Sequence, residues 1–115
     1  MSEFTNEDFA DMRTLVLNKE RRSIINCFGK ERRGVTDIAE ALGLDRSIVC
    51  YHFDKLESRA LIGRGYEILE EPKEDKPGKA QLVFYLTPKV QQAKNTLGRF
   101  IDYLETIVNN ANIKN

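Results

Sequence analysis

Residues 35–62, VTDIAEALGLDRSIVCYHFDKLESRALI, admit few structures. Thr36 is placed to cap a short helix in which Ile38 and Leu42 lie one turn apart, and Ala39 is small where a partner helix must approach. Gly43 can take the left-handed conformation that stops a helix, because it has no Cβ to clash. Leu44 then tucks back and Asp45 caps a second helix, in which Val49, Phe53, Leu56 and Ala60 form one stripe at 3.6-residue periodicity. A short helix, a glycine-containing turn and an amphipathic helix make the helix-turn-helix pattern.

The flanks fit around this centre. Thr5 can cap a helix to about Leu17, with Phe9, Met12 and Val16 on one face and Glu7 and Asp8 favourable at its N-terminus. Asn18 is an N-cap for a following segment with Ile24, Ile25 and Phe28 as core residues and Gly29 as its stop, although the pattern leaves open one kinked helix or two. After residue 62 the period changes: 66–70 and 81–86 favour strands, and in the second Leu82, Phe84 and Leu86 alternate with Gln81, Val83 and Tyr85. The polar stretch EEPKEDKPGK between them has nothing worth burying and reads as the loop of a long hairpin, or wing. Thr87-Pro88 then opens a last helix. Val90, Ala93, Leu97, Phe100, Leu104, Ile107 and Ala111 recur at alternating steps of three and four, a heptad pattern widened by Ile101 and Val108. A helix of about 25 residues is roughly 37 Å long, more than a domain of 115 residues can cover, so part of that stripe is expected to meet a second chain. The expected fold is mainly α with a small β-hairpin wing, divided into an N-terminal helix over 1–17, a helix-turn-helix domain over 18–87 with its wing at about 66–86, and a dimerisation helix over 88–112.

Composition removes other classes. The 18 basic and 18 acidic residues cancel, so no global attraction to polyanions exists. The charge is nevertheless polarised, about −3 over residues 1–17 and +4 over 18–33. The longest apolar run, 82–86, is far short of a membrane span, and MSEFTNEDF lacks a signal peptide's charged and apolar regions. These features point to a cytoplasmic chain. Two cysteines and one histidine make neither a disulfide framework nor a zinc site, so no metal and no cofactor is expected. Cys27 and Cys50 are read as buried inert thiols rather than a redox pair. No nucleophile–base pair is present, and GRG at 63–65 is too short a glycine loop to cradle phosphate, so the chain is not read as an enzyme.

With these pieces in place, the sequence resembles the winged helix-turn-helix transcription regulators of the ArsR and MarR type. NKERRSIINCF, the 35–62 motif and FYLTP carry the likeness over about residues 18–88. The resemblance implies a homodimer on double-stranded DNA, one recognition helix per subunit in the major groove and the wings over flanking phosphates or minor groove. The cysteine-containing metal motif of metal-sensing members is missing, the wing is acidic, with five acids to three lysines over 65–80, and no cluster identifies a small-molecule effector.

With Val49, Phe53, Leu56 and Ala60 facing inward, Ser47, Ile48, Tyr51, Asp54, Lys55 and Ser58 fall on or near the opposite side of the recognition helix, with Arg46 and His52 flanking. Arg46 suits a guanine edge or phosphate, Ile48 a thymine methyl, Tyr51 and His52 a phosphate. Thr36 offers a backbone N–H at a helix start, and Lys73, Lys76 and Lys79 offer wing contacts weakened by salt. Phe9, Met12 and Val16 are expected to share a dimer interface with the heptad stripe. The rival reading is a winged-helix module that binds protein through its acidic wing.

Overall fold

The computed structural model describes residues 4–114, so residues 1–3 of the expected N-terminal segment lie outside the described residues. Five helices and one antiparallel hairpin follow in the order α1 (Asn6–Val16), α2 (Lys19–Phe28), α3 (Val35–Leu42), α4 (Arg46–Ser58), β1 (Ile62–Glu70), β2 (Lys79–Leu86) and α5 (Pro88–Lys114). This is the expected class, mainly helical with a β-hairpin wing and a long last helix.

Local chemistry explains most boundaries. Thr5 and Asp8 cap α1 reciprocally, each side chain accepting the other's backbone N–H at 3.0 Å. The chain breaks at Asn18, whose Oδ1 accepts the Arg21 N–H at 3.1 Å, so residues 6–28 are two helices. Thr36 is not the cap of α3. Gly34 holds that position and donates its N–H to the Asp37 carboxylate at 3.2 Å, which leaves Thr36 inside the first turn. Gly43 closes α3 at φ +65°, and the Leu44 N–H reaches back to the Ala39 carbonyl at 3.0 Å.

The core lies where α2, α3, α4 and the hairpin meet, around Ile24, Phe28, Ile38, Val49, Leu56, Leu61 and Ile62. Phe53 stacks edge-on to Phe84 at 4.6 Å and lies 5.4 Å from Phe28, so α4, β2 and α2 share one aromatic centre. Ala60 does not extend the inward stripe of α4: the helix stops at Ser58, and Ala60 sits exposed in the turn at φ +58°.

β1 starts at Ile62, four residues before the expected wing, because its first pairs, Ile62 with Leu86 and Gly63 with Tyr85, lie against the core. Arg33 adds a short third rung, exchanging both backbone hydrogen bonds with Phe84 at 2.8 Å. At Gly63 a Cβ would stand 2.7 Å from the Tyr85 ring, so the missing side chain lets that ring lie across the strand. Arg32 then covers the same ring at 5.2 Å.

α1 is fastened to the rest by its ends. Phe4 and Phe9 meet Phe100 of α5 edge-on at 5.4 and 5.5 Å. On the other side Asp11 accepts from Arg59 at 2.9 Å and lies 3.4 Å from the Lys89 ammonium, joining α1 to the α4–β1 turn and to the start of α5. Thr87 stands immediately before Pro88, its carbonyl accepting the Val90 N–H at 3.0 Å, while its hydroxyl donates to the Ala60 carbonyl at 2.6 Å and ties the start of α5 to that same turn.

Candidate nucleic-acid interface

α4 presents Arg46, Ser47, Cys50, Tyr51, Asp54, Lys55 and Ser58 to solvent, with Ile48 half-buried among them. The expected face is therefore formed. Asp45 precedes it in extended conformation but makes no side-chain cap, so the first turn keeps free N–H donors. Tyr51 is 55% exposed, and the Lys55 ammonium sits over its ring at 5.5 Å, which holds a cation and a phenol side by side.

His52 does not belong to this face. It is 2% exposed, and its Nδ1 accepts from the Arg21 Nε at 3.3 Å, with Glu20 4.0 Å from Nε2. Burial, then the Arg21 charge, lower its pKa below the ordinary 6.5, against an opposing pull from Glu20. A neutral ring hidden between α2 and α4 has no surface for a phosphate, so the sequence-based contact at His52 is withdrawn. Cys50 is the reverse case: it was expected to be buried and is exposed, while Cys27 is packed against the core, and both are free thiols.

The wing is held to α4 by one bidentate pair, Arg64 to Glu57, with both hydrogen bonds at 2.6 Å. The same pair lowers the Glu57 pKa below 4.5 through its hydrogen bond with Arg64. At the wing tip Lys73 and Lys76 exchange backbone hydrogen bonds at 2.9 and 3.2 Å, and both side chains are exposed beside Glu74 and Asp75. Lys79 is drawn to Glu70 at 3.8 Å, which reduces its charge toward any phosphate. Thr36 is exposed in the first turn of α3, next to Asp37. Arg64, a cation at the wing base, was not among the expected contacts. Arg64 lay in a GRG stretch read only for its glycines. A second unexpected feature is apolar: Tyr66, Ile68 and Leu69 on β1 are 70%, 61% and 59% exposed.

The expected dimer residues divide into three groups. Met12, Val90 and Ala93 are buried within the protomer, because α1 packs along the first half of α5, and they have no surface left for a partner. Val16, Leu97 and Phe100 are half-buried, whereas Phe9, Ile101, Leu104, Ile107, Val108 and Ala111 remain exposed. Among the described residues no three His, Cys, Asp or Glu side chains gather as a metal site, and no helix is long and apolar enough to cross a membrane.

This arrangement of helices and hairpin is the winged helix-turn-helix fold. The structure superposes on an ArsR-like transcriptional regulator from Rhodococcus sp. RHA1 with a TM-score of 0.65 at 16% identity, covering 99% of this chain and 94% of that one. It is also similar to HlyU from Vibrio cholerae, with a TM-score of 0.60 at 17% identity over 87% of this chain and 97% of that one. A homodimeric winged helix-turn-helix DNA-binding domain from Mycobacterium bovis, described as a possible ArsR-family regulator, matches with a TM-score of 0.55 at 14% identity, over 93% and 94% of the two chains. No protein-family profile and no curated protein matches the sequence. These likenesses are of fold, and they lie on the ArsR side of the resemblance.

Proposed function

We propose that the chain is a sequence-specific, double-stranded DNA-binding transcription regulator acting as a homodimer. The observation that carries this reading is the exposed face of α4, where Arg46, Ser47, Tyr51 and Lys55 stand free of the core while Glu57 on the same helix anchors the wing through Arg64. The first turn of α4 reads base edges, Lys55 and Tyr51 hold phosphate, and Lys73 and Lys76 approach the backbone from the wing. Two such helices sit about 34–36 Å apart on one face of the duplex. The homodimeric state of the Mycobacterium bovis domain supports the same assembly here.

The test is fluorescence anisotropy on labelled duplex from the upstream region of the protein's own gene, against a scrambled control, across a salt series. Binding prefers the upstream duplex, and its log affinity falls linearly with log salt. Arg46→Ala with Tyr51→Ala lowers affinity for the preferred duplex at least tenfold while the protein stays folded. Lys55→Ala weakens both duplexes alike and reduces the salt slope by about one. A double variant that still footprints the same site removes α4 as the reading element.

The exposed Tyr66, Ile68 and Leu69 beside an acidic wing tip favour one second reading, a protein-binding module. Under that reading, deletion of residues 71–78 abolishes partner capture and leaves DNA affinity unchanged.

A further inference from the structure

The wing has an open edge. Among the described residues its sheet consists of β1 and β2, and the rung added by Arg33 lies on the far side of β2. Phe84 gives both of its backbone hydrogen bonds to Arg33, so it has none for Arg64, its partner in the β1–β2 register. The N–H and C=O of Arg64 therefore point away from β2, and the alternation of an antiparallel ladder turns those of Tyr66 and Ile68 the same way. Strand edges in soluble proteins are usually blocked by lysine, by proline or by shortness. β1 has 9 residues with neither lysine nor proline, and its bulge falls near its end, between Ile68 and Glu70. Tyr66 and Ile68 stand exposed along it.

Charge along this edge matches an inverted copy of itself. When two β1 strands pair antiparallel about a two-fold axis at Tyr66, Arg64 of each copy lies opposite Ile68 of the other, and the open N–H and C=O groups close on one another. In the same register Glu67 falls opposite Gly65 of the copy. Gly65 has no side chain, and the point where one would begin lies 3.7 Å from an Arg32 guanidinium nitrogen. A carboxylate arriving there meets a cation, since side chains directly opposite across a ladder are in contact. Glu67 and Arg32 are both exposed and enter no ion pair within the protomer among the described residues. Inversion also turns the two wing tips in opposite directions, which keeps Glu71, Glu74 and Asp75 of the copies apart.

We propose that β1 pairs edge to edge with β1 of a second copy, two-fold about Tyr66, with Glu67 of each copy on Arg32 of the other. This seam uses no residue of α5, so a protomer can hold one partner at its wing and another at its last helix. A few exposed side chains bury far less than the about 1,200–2,000 Å² of a stable complex. The seam is therefore weak between free molecules and gains strength where copies are held close, as neighbouring dimers on one duplex would be. That last consequence rests on the DNA reading; the pairing does not.

The experiment uses the full-length chain without DNA, so its failure is separate from failure of the DNA reading. Backbone amide shifts of residues 62–70 depend on concentration when millimolar protein is diluted. Under oxidised glutathione, Tyr66→Cys in a Cys50→Ser background cross-links at least tenfold faster than Asp75→Cys in the same background. Residues paired on the axis have Cα atoms about 5.5 Å apart, within disulfide reach. Adding Glu67→Arg slows the Tyr66→Cys cross-link at least tenfold, and adding Arg32→Glu to that variant restores most of the rate. All these positions are exposed, so the variants keep the fold. Equal cross-linking at 66 and 75, or a charge swap that restores nothing, overturns the proposal. A peptide of alternating lysine and valine that shifts residues 62–70, with no shift on dilution of the protein alone, gives the edge to a strand from another protein and overturns it as well.

Discussion

His52 is the only histidine in the chain, and α2 and α4 close over it. Its neutral form is the one the fold accommodates: Nδ1 takes a hydrogen bond from Arg21, and protonating that nitrogen would remove the acceptor and set two cations together. Glu20, 4.0 Å from Nε2, offsets only part of this, and the folded-state pKa lies below the ordinary 6.5. Above pH 6.5 the ring is neutral folded or unfolded and the contribution to stability is intact. As pH falls below 6.5 the unfolded chain takes up the proton first, and stability is lost through the folded pKa. The urea midpoint should therefore drop between pH 7.5 and 5.5, with His52→Gln much flatter over that interval. Glu57, whose pKa is lowered from 4.5, titrates below this window and does not confuse it. A midpoint that holds or rises on acidification would mean the ring is not buried as a neutral acceptor.

At the scale of elements, the two helices of the central motif end in the same way with different residues. α3 ends on Gly43 at φ +65°, α4 on Ala60 at φ +58°, and in each case the next leucine sends its N–H back into the last turn, Leu44 to Ala39 and Leu61 to Leu56, at 3.0 and 2.9 Å. Leu61 and Leu56 are both fully buried, so packing holds Ala60 in a conformation its Cβ disfavours. Ala60→Gly relieves that strain at an exposed site and should stabilise the protein by about 0.5–1 kcal/mol after the added freedom of the unfolded chain is subtracted. A denaturant midpoint unchanged or lowered would show that the turn carries no strain. The same pair explains what sequence could and could not show. The end of α3 was legible because Gly43 announces it, whereas Ala60 carries no such signal and fits the 3.6 stripe of α4, so the stripe ran two residues too far. The α1–α2 break was uncertain for a related reason: Asn18 both continues and caps a helix. The exposed face of α4 was legible from Val49, Phe53 and Leu56, which settle its opposite side. His52 was not, because one flanking position on a wheel is covered or open according to α2, and only tertiary packing decides.

The molecule as a whole is longer than its content requires. Its radius of gyration is 19.0 Å, against about 13 Å for a compact chain of this length, and the excess is α5, 27 residues or about 40 Å long. The first half of that helix packs along α1, with Val90 and Ala93 buried. From residue 101 to 111 every side chain is exposed, including Ile101, Leu104, Ile107 and Val108. A solitary helical segment of that size is marginal in water, since isolated helices under about 12–15 residues barely form. In the proposed homodimer the apolar stripe on it is covered by its own symmetry mate. Leu104→Glu with Val108→Glu puts charges into that seam without touching the buried core. The parent chain should sediment at twice its 13.2 kDa mass and the double variant at the monomer mass. The variant should also lose helical circular dichroism, because the end of α5 then has nothing to fold against, while the thermal transition of the α2–α4 core is retained. A parent that sediments as a monomer, or a variant that keeps both its dimer mass and its full helical signal, would place the partner surface elsewhere. Two recognition helices at fixed spacing would then lose their physical basis.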